Sequence, residues 1–116
     1  DIAIASSGTV TLECAWFRVP TVVLYRTSWI TYLLGRLFLK VKHIAMPNVL
    51  AEREVFPELL QSAATSVNLA REANRFLDDP NRRLELREEL DVITDSLGGK
   101  GAANRAVKCI NRLLEN

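Results

Sequence analysis

The stretch Ile2-Ala3-Ile4-Ala5-Ser6-Ser7-Gly8-Thr9-Val10-Thr11-Leu12-Glu13 decides the fold. A short apolar run stops at two serines and a glycine, and a helical stretch begins behind them, so the pattern is strand, tight turn, helix start. Glycine lets the backbone come close to a ligand. The unpaired amides of a first helical turn, with the positive end of its dipole, favour an anion such as phosphate. Glu13 falls one helical turn after Thr9, which sets both toward one ligand edge. The same residues also suit a plain capped helix, with Ser7 or Thr9 as N-cap and Glu13 in solvent, because strand-glycine-helix turns are common in parallel α/β folds.

Outward from this turn, residues 9–17 read as a helix laying Val10, Leu12, Ala15 and Trp16 against a sheet. Pro20 then opens a second strand, Thr21-Val22-Val23-Leu24-Tyr25, which ends at Arg26. Its apolar run lacks polar alternation, as expected of a parallel strand covered on both faces. His43 to Met46 reads as a third strand, and residues 47–54 as a loop leaving it at the same sheet edge as the glycine turn. Ligands of parallel α/β sheets bind beyond the carboxyl ends of the strands, so on this reading Asn48 and Glu13 face one crevice. Residues 56–61 read as the start of a short helix docking Phe56 and Leu60.

Between the second and third strands, residues 28–40 read as a helix whose apolar residues cover well over half its circumference. Such a helix is either packed in a core or lies on something greasy. Trp29, Tyr32, Leu33, Leu37 and Phe38 are the candidates for membrane or acyl-chain contact, with Arg26, Arg36, Lys40 and Lys42 flanking them as in an interfacial helix.

Beyond residue 63 the chain turns helical and charged. Thr65 or Ser66 caps a helix to about Leu77, with Leu69, Ala70, Ala73, Phe76 and Leu77 on one stripe. Asp78-Asp79-Pro80 stops it and starts a second, whose inner face is Leu86, Leu90, Ile93 and Leu97. Gly98 to Gly101 breaks the chain; its spacing fits no phosphate-binding fingerprint, and a turn is the better reading. A last helix carries Ala103, Ala106, Val107, Ile110, Leu113 and Leu114.

Several blocks together carry a resemblance. Ser-Gly-Thr-x-Thr-Leu-Glu (7–13), Val-Pro-Thr-Val-Val-x-Tyr-Arg (19–26), the Trp/Leu-rich helix and Met-Pro-Asn-Val-Leu-Ala-x-Arg-Glu-Val-x-Pro-Glu-Leu-Leu-Gln (46–61) follow one another in order. This resembles the C-terminal part of the lipid A disaccharide synthase family, inverting glycosyltransferases of the two-Rossmann-domain (GT-B) type. The resemblance runs from about residue 2 to 61 and continues more weakly to the end. It implies transfer of 2,3-diacylglucosamine from its UDP derivative to 2,3-diacylglucosamine 1-phosphate, with release of UDP and no cofactor or metal. It also implies that Ser7, Gly8 and Thr9 hold the diphosphate, that Glu13 accepts from the uridine ribose hydroxyls, and that Asn48 and Arg26 belong to the donor site. The general base is expected on the family's first domain, outside this chain, so the chain alone is expected to be inactive. The implied location is cytoplasmic, peripheral on the inner face of the bacterial inner membrane. The terminal helices of such enzymes cross back onto the first domain.

Composition agrees with a packed domain or a piece of one: 116 residues, 48% hydrophobic. Lys+Arg of 15 against Asp+Glu of 14 leaves a net charge of +1, so no global field draws nucleic acid. Cys14, Cys109 and His43 form no zinc or disulfide pattern; the two cysteines read as reduced thiols, and Cys14 and His43 as structural. No apolar run is long enough to cross a bilayer, the longest being broken by Arg36 and Lys40.

The expected architecture is therefore α/β: a partial Rossmann-like half-domain with about three parallel strands over residues 1–62, then a helical segment over 63–116. A doubly wound domain needs more strands than these three, so the chain is expected to be a piece of a larger protein. Its unburied stripes then call for a missing N-terminal domain or a second copy, with domain swapping through 98–101 as one arrangement. Two other readings remain: a different UDP-sugar glycosyltransferase or epimerase fragment, or a non-catalytic dimeric or membrane-surface module.

Overall fold

A computed structural model describes residues 1–6, 8–29, 32–33, 42–98 and 101–114. Three strands, β1 (Ala3–Ser6), β2 (Thr21–Tyr25) and β3 (Glu58–Leu60), form one parallel sheet in the order β1-β2-β3. Ala3 pairs with Thr21 and Ser6 with Leu24, while Val23 pairs with Glu58 and Tyr25 with Leu60. All three carboxyl ends therefore reach the same sheet edge. The expected half-domain with three parallel strands is the one observed.

Among the described residues, the helices with defined ends are α1 (Thr9–Trp16), α2 (Met46–Ala51), α3 (Ser66–Asp78), α4 (Pro80–Ser96) and α5 (Ala102–Leu114). Helix α1 packs on α2 and α4, and α3 packs on β2 and α4. Val22 and Val23 point to opposite faces of β2, yet both are fully buried, so the central strand is covered on each side. Ala15, Val55, Phe56, Leu59, Phe76, Leu86, Leu90 and Ile93 join them in one core. Each fully buried Leu or Phe side chain contributes about 1.5–3 kcal/mol.

The third strand is not the one expected. Residues 43–45 are not strand, and the segment expected as a loop is the short helix α2. Pro47 suits a first helical turn, where its missing N–H costs nothing, and Ala45 before it is extended (φ −71°, ψ 131°). The Ile44 and Ala45 amides find a carboxylate in place of a ladder: Ile44 N–H donates to Glu58 Oε1 at 3.0 Å and Ala45 N–H to the same oxygen at 2.8 Å. The real β3 occupies residues expected to begin a helix, which instead show a strand and then a 3₁₀ turn at Gln61–Ala63.

Three packing expectations also change. Trp16 is 55% exposed and Val10 41%, while Thr11 and Ala15 are the residues of α1 that are buried. On α3 the inward face is Glu72, Ala73 and Phe76, leaving Ala70 and Leu77 outside. The caps fall where expected, since Thr65 Oγ1 accepts from Asn68 N–H and Asp79 accepts from Arg82 N–H. Leu86, Leu90 and Ile93 of α4 are buried, but Leu97, just past its end, is 40% exposed. Helix α5 has no buried residue, and its stripe of Val107, Ile110, Leu113 and Leu114 stands in solvent.

Candidate functional site

Gly8 follows β1 by two residues and occupies the N-cap position of α1 with φ 142°. A side chain is strained at this backbone angle, although a Cβ there would meet nothing within 4 Å. The turn is therefore conformationally demanding and open on its outer side. Having no side chain, Gly8 gives α1 no side-chain cap, and although its carbonyl accepts from Thr11 N–H at 3.2 Å, the start of the first turn is left suited to an anion. Thr9 and Glu13 are both exposed, one helical turn apart. Arg26 is exposed directly beyond Tyr25, the last residue of β2.

Sheet register thus puts the Gly8 turn, with Thr9 behind it, and Arg26 at the same sheet edge, while Glu13 lies one helical turn further along α1. Ser7, and Leu37 and Phe38 of the expected apolar helix, lie outside the described residues. Trp29, Tyr32 and Leu33 are described as helical; the Trp29 and Tyr32 rings meet edge to face at 5.9 Å, and Trp29 and Leu33 are 69% and 65% exposed.

Asn48 sits elsewhere than in an open crevice. It is completely buried, and its side chain is fully engaged within the chain. Nδ2 donates to Phe56 O and to Glu58 Oε1, both at 2.8 Å; Oδ1 accepts from Val55 N–H at 2.9 Å and Phe56 N–H at 2.8 Å. Two donors and two acceptor sites are all an asparagine amide has. Asn48 ties α2 to the segment entering β3.

Three residues missed by sequence reasoning complete this framework. Thr11 Oγ1 donates to Gly8 O at 2.7 Å and accepts from Met46 N–H at 3.3 Å, so one buried hydroxyl joins the glycine turn to the start of α2. Glu58 gathers the Ile44, Ala45 and Asn48 donors described above. Gln61, just past β3, receives Thr27 N–H on Oε1 at 2.9 Å and donates from Nε2 to Thr27 O at 3.1 Å. The sequence signal for Glu58 and Gln61 was their place in the Pro-Glu-Leu-Leu-Gln block; for Thr11, only its position on the first turn of α1.

Cys14 is half-buried beside the core and Cys109 exposed. Among the described residues no group of three or more His, Cys, Asp or Glu side chains is placed to hold a metal. Among them also, no helix is long and apolar enough to cross a membrane.

A parallel sheet whose first strand runs through a glycine turn into a helix, with polar side chains collected at its carboxyl edge, defines a Rossmann-like α/β half-domain. Over residues 1–109 the chain matches the family described as lipid-A-disaccharide synthetase, and it belongs to that family. It is similar to the lipid-A-disaccharide synthase of Syntrophus aciditrophicus, 43% identical over 91% of this chain and 28% of that protein. The synthases of Sulfurihydrogenibium sp. (38% identical, 97% of this chain, 29% of the relative) and Myxococcus xanthus (42%, 98% and 30%) agree. The chain thus spans less than a third of the length of these relatives.

Proposed function

We propose that the chain is the donor-binding part of a lipid A disaccharide synthase, holding the UDP portion of a UDP-2,3-diacylglucosamine donor while its sugar passes to 2,3-diacylglucosamine 1-phosphate. The observation that supports this reading is the Gly8 turn opening α1 at the sheet edge where β2 delivers Arg26, with Glu13 exposed one turn along the same helix. Breaking the glycosidic bond leaves charge on a diphosphate, which fixed amides and a cation stabilise without reorganisation. In this assignment Ser7, Gly8 and Thr9 meet the diphosphate, Arg26 adds a cation, and Glu13 accepts from the ribose hydroxyls. Asn48 serves the same site from within, by holding α2 against the entry to β3.

The chain's own share is binding, with the base that activates the acceptor supplied from outside it. The exposed Trp29 and Leu33 support contact with acyl chains or the inner face of a bacterial inner membrane, in the manner of a peripheral protein. The bare apolar stripe of α5 supports pairing with a second copy.

Calorimetric titration with UDP tests the reading. Weak binding is expected, lowered about tenfold in Glu13→Ala by loss of charge-assisted hydrogen bonds worth about 1.5–3 kcal/mol. A folded chain that binds no UDP, or binds it equally well without Glu13, overturns it.

A further inference from the structure

Beyond Tyr25 and Leu60 the β2–β3 pairing stops, yet the exit of β2 is still held. What holds it is a side chain. The primary amide of Gln61 presents one acceptor and one donor, as a peptide group does, and it meets both the N–H and the C=O of Thr27. Gln61 is 7% exposed and has φ 50°, a left-handed angle uncommon for a residue with a side chain. An extended residue here would prolong β3; the left-handed one leads the backbone into the 3₁₀ turn while its amide bonds back to β2. Backbone strain of this kind persists where the surroundings over-determine it, and it concentrates at ligand sites.

We propose that Gln61 is a positioning residue of the ligand edge: by clamping Thr27 it fixes the backbone carrying Arg26, and so the cation offered to the ligand's phosphates. This inference rests on the reading of that edge as a donor site. It gives Gln61 no contact with the ligand; the amide acts through one neighbouring peptide. Without it, the Thr27 N–H and C=O lose the two bonds that hold them to the end of β3.

Two measurements on the full chain test it. The first is amide hydrogen exchange in Gln61→Gly, a variant that keeps the positive-φ backbone at less strain and so preserves the fold. Thr27 is expected to exchange at least about tenfold faster while Val23, inside the ladder, is unchanged. Unaltered protection at Thr27 overturns the proposal.

The second is an NMR titration with UDP and with uridine. Gln61→Gly is expected to weaken UDP binding by about fivefold to tenfold and leave uridine binding as it was, because only the phosphates meet Arg26. In an Arg26→Ala background the same change is expected to add nothing, the signature of two residues acting as a unit. Equal losses for UDP and uridine, or an undiminished loss without Arg26, overturn the positioning role. If the unchanged chain binds no UDP, the donor reading falls and the ligand half of this inference with it. The exchange rate at Thr27 then still decides whether Gln61 holds the exit of β2.

Discussion

Asn48 Nδ2 lies 2.8 Å from Glu58 Oε1, and this bond joins α2 to β3 across the interior of the chain. The pair replaces sheet pairing: Glu58 serves the amides at 44 and 45, while Asn48 serves those at 55 and 56. Asn48→Asp keeps the shape but sets a second carboxylate against Glu58 and the Phe56 carbonyl. It is expected to destabilise the chain by about 3 kcal/mol. Asn48→Ala, which strands the Val55 and Phe56 amides, should cost about 2–3 kcal/mol. Urea unfolding checks both, as a lowered midpoint at unchanged slope.

Glu72 makes the acid limb of the stability curve predictable. A hydrogen bond from Arg75 at 2.9 Å, then one from Arg71 at 3.4 Å, holds its carboxyl below the ordinary value of 4.5, against the opposing effect of burial. A carboxyl with a depressed folded-state pKa contributes stability that is fully present above its unfolded value and lost as pH falls through the folded one. The stability gap between the unchanged chain and Glu72→Gln should therefore be flat above the ordinary carboxyl value and close progressively as the pH falls below it. A gap that widens in acid contradicts the arrangement. Thermal unfolding across that range gives the answer.

The stripe on α5 is expected to pair two copies. Val107 and Ile110 are 53% and 55% exposed, and Leu113 and Leu114 each 78%, more contiguous apolar surface than a solitary helix keeps in water. Sedimentation should give a mass of two chains or more at micromolar concentration, falling to one chain in an Ile110→Glu, Leu113→Glu double variant. A mass of one chain for the unchanged protein sinks the idea.

Trp29 is expected to govern attachment to lipid. Vesicles of anionic phospholipid should co-sediment with the chain, and Trp29→Glu should weaken this roughly tenfold through about 1.5 kcal/mol of lost apolar burial. Glu13→Ala should leave it untouched, because that carboxylate is assigned to the nucleotide. Equal loss in both variants would point to unfolding.

Much of this was legible in the sequence where one local rule dominated. The glycine turn fixed the β1 to α1 transition, and the unrelieved Val22-Val23-Leu24 run marked a strand buried on both faces. Thr65, Asp79 and Pro80 set the helix ends through their own backbone chemistry. The third strand was not legible, because His43 to Met46 and Glu58 to Leu60 are both too short for periodicity to separate strand from helix. A half-buried Asn48–Glu58 pair decided between them, and long-range polar pairs leave no period in the sequence. For the same reason the sequence nominated Gly8, Glu13 and Arg26 for a ligand edge but gave no sign of the bonds that Thr11, Glu58 and Gln61 make between elements.

The strand order β1-β2-β3 has a consequence in time. Each strand docks on the edge left free by the one before it, so none must be threaded between two already paired. The ribosome delivers these three strands in that same order, so β1 and β2 are both available to pair before β3 is made. β3 arrives later and with only three residues, too few to hold by ladder bonds alone. Its capture waits for Asn48, Glu58 and Gln61 to leave the ribosome, so the docking of β3 is gated by side chains.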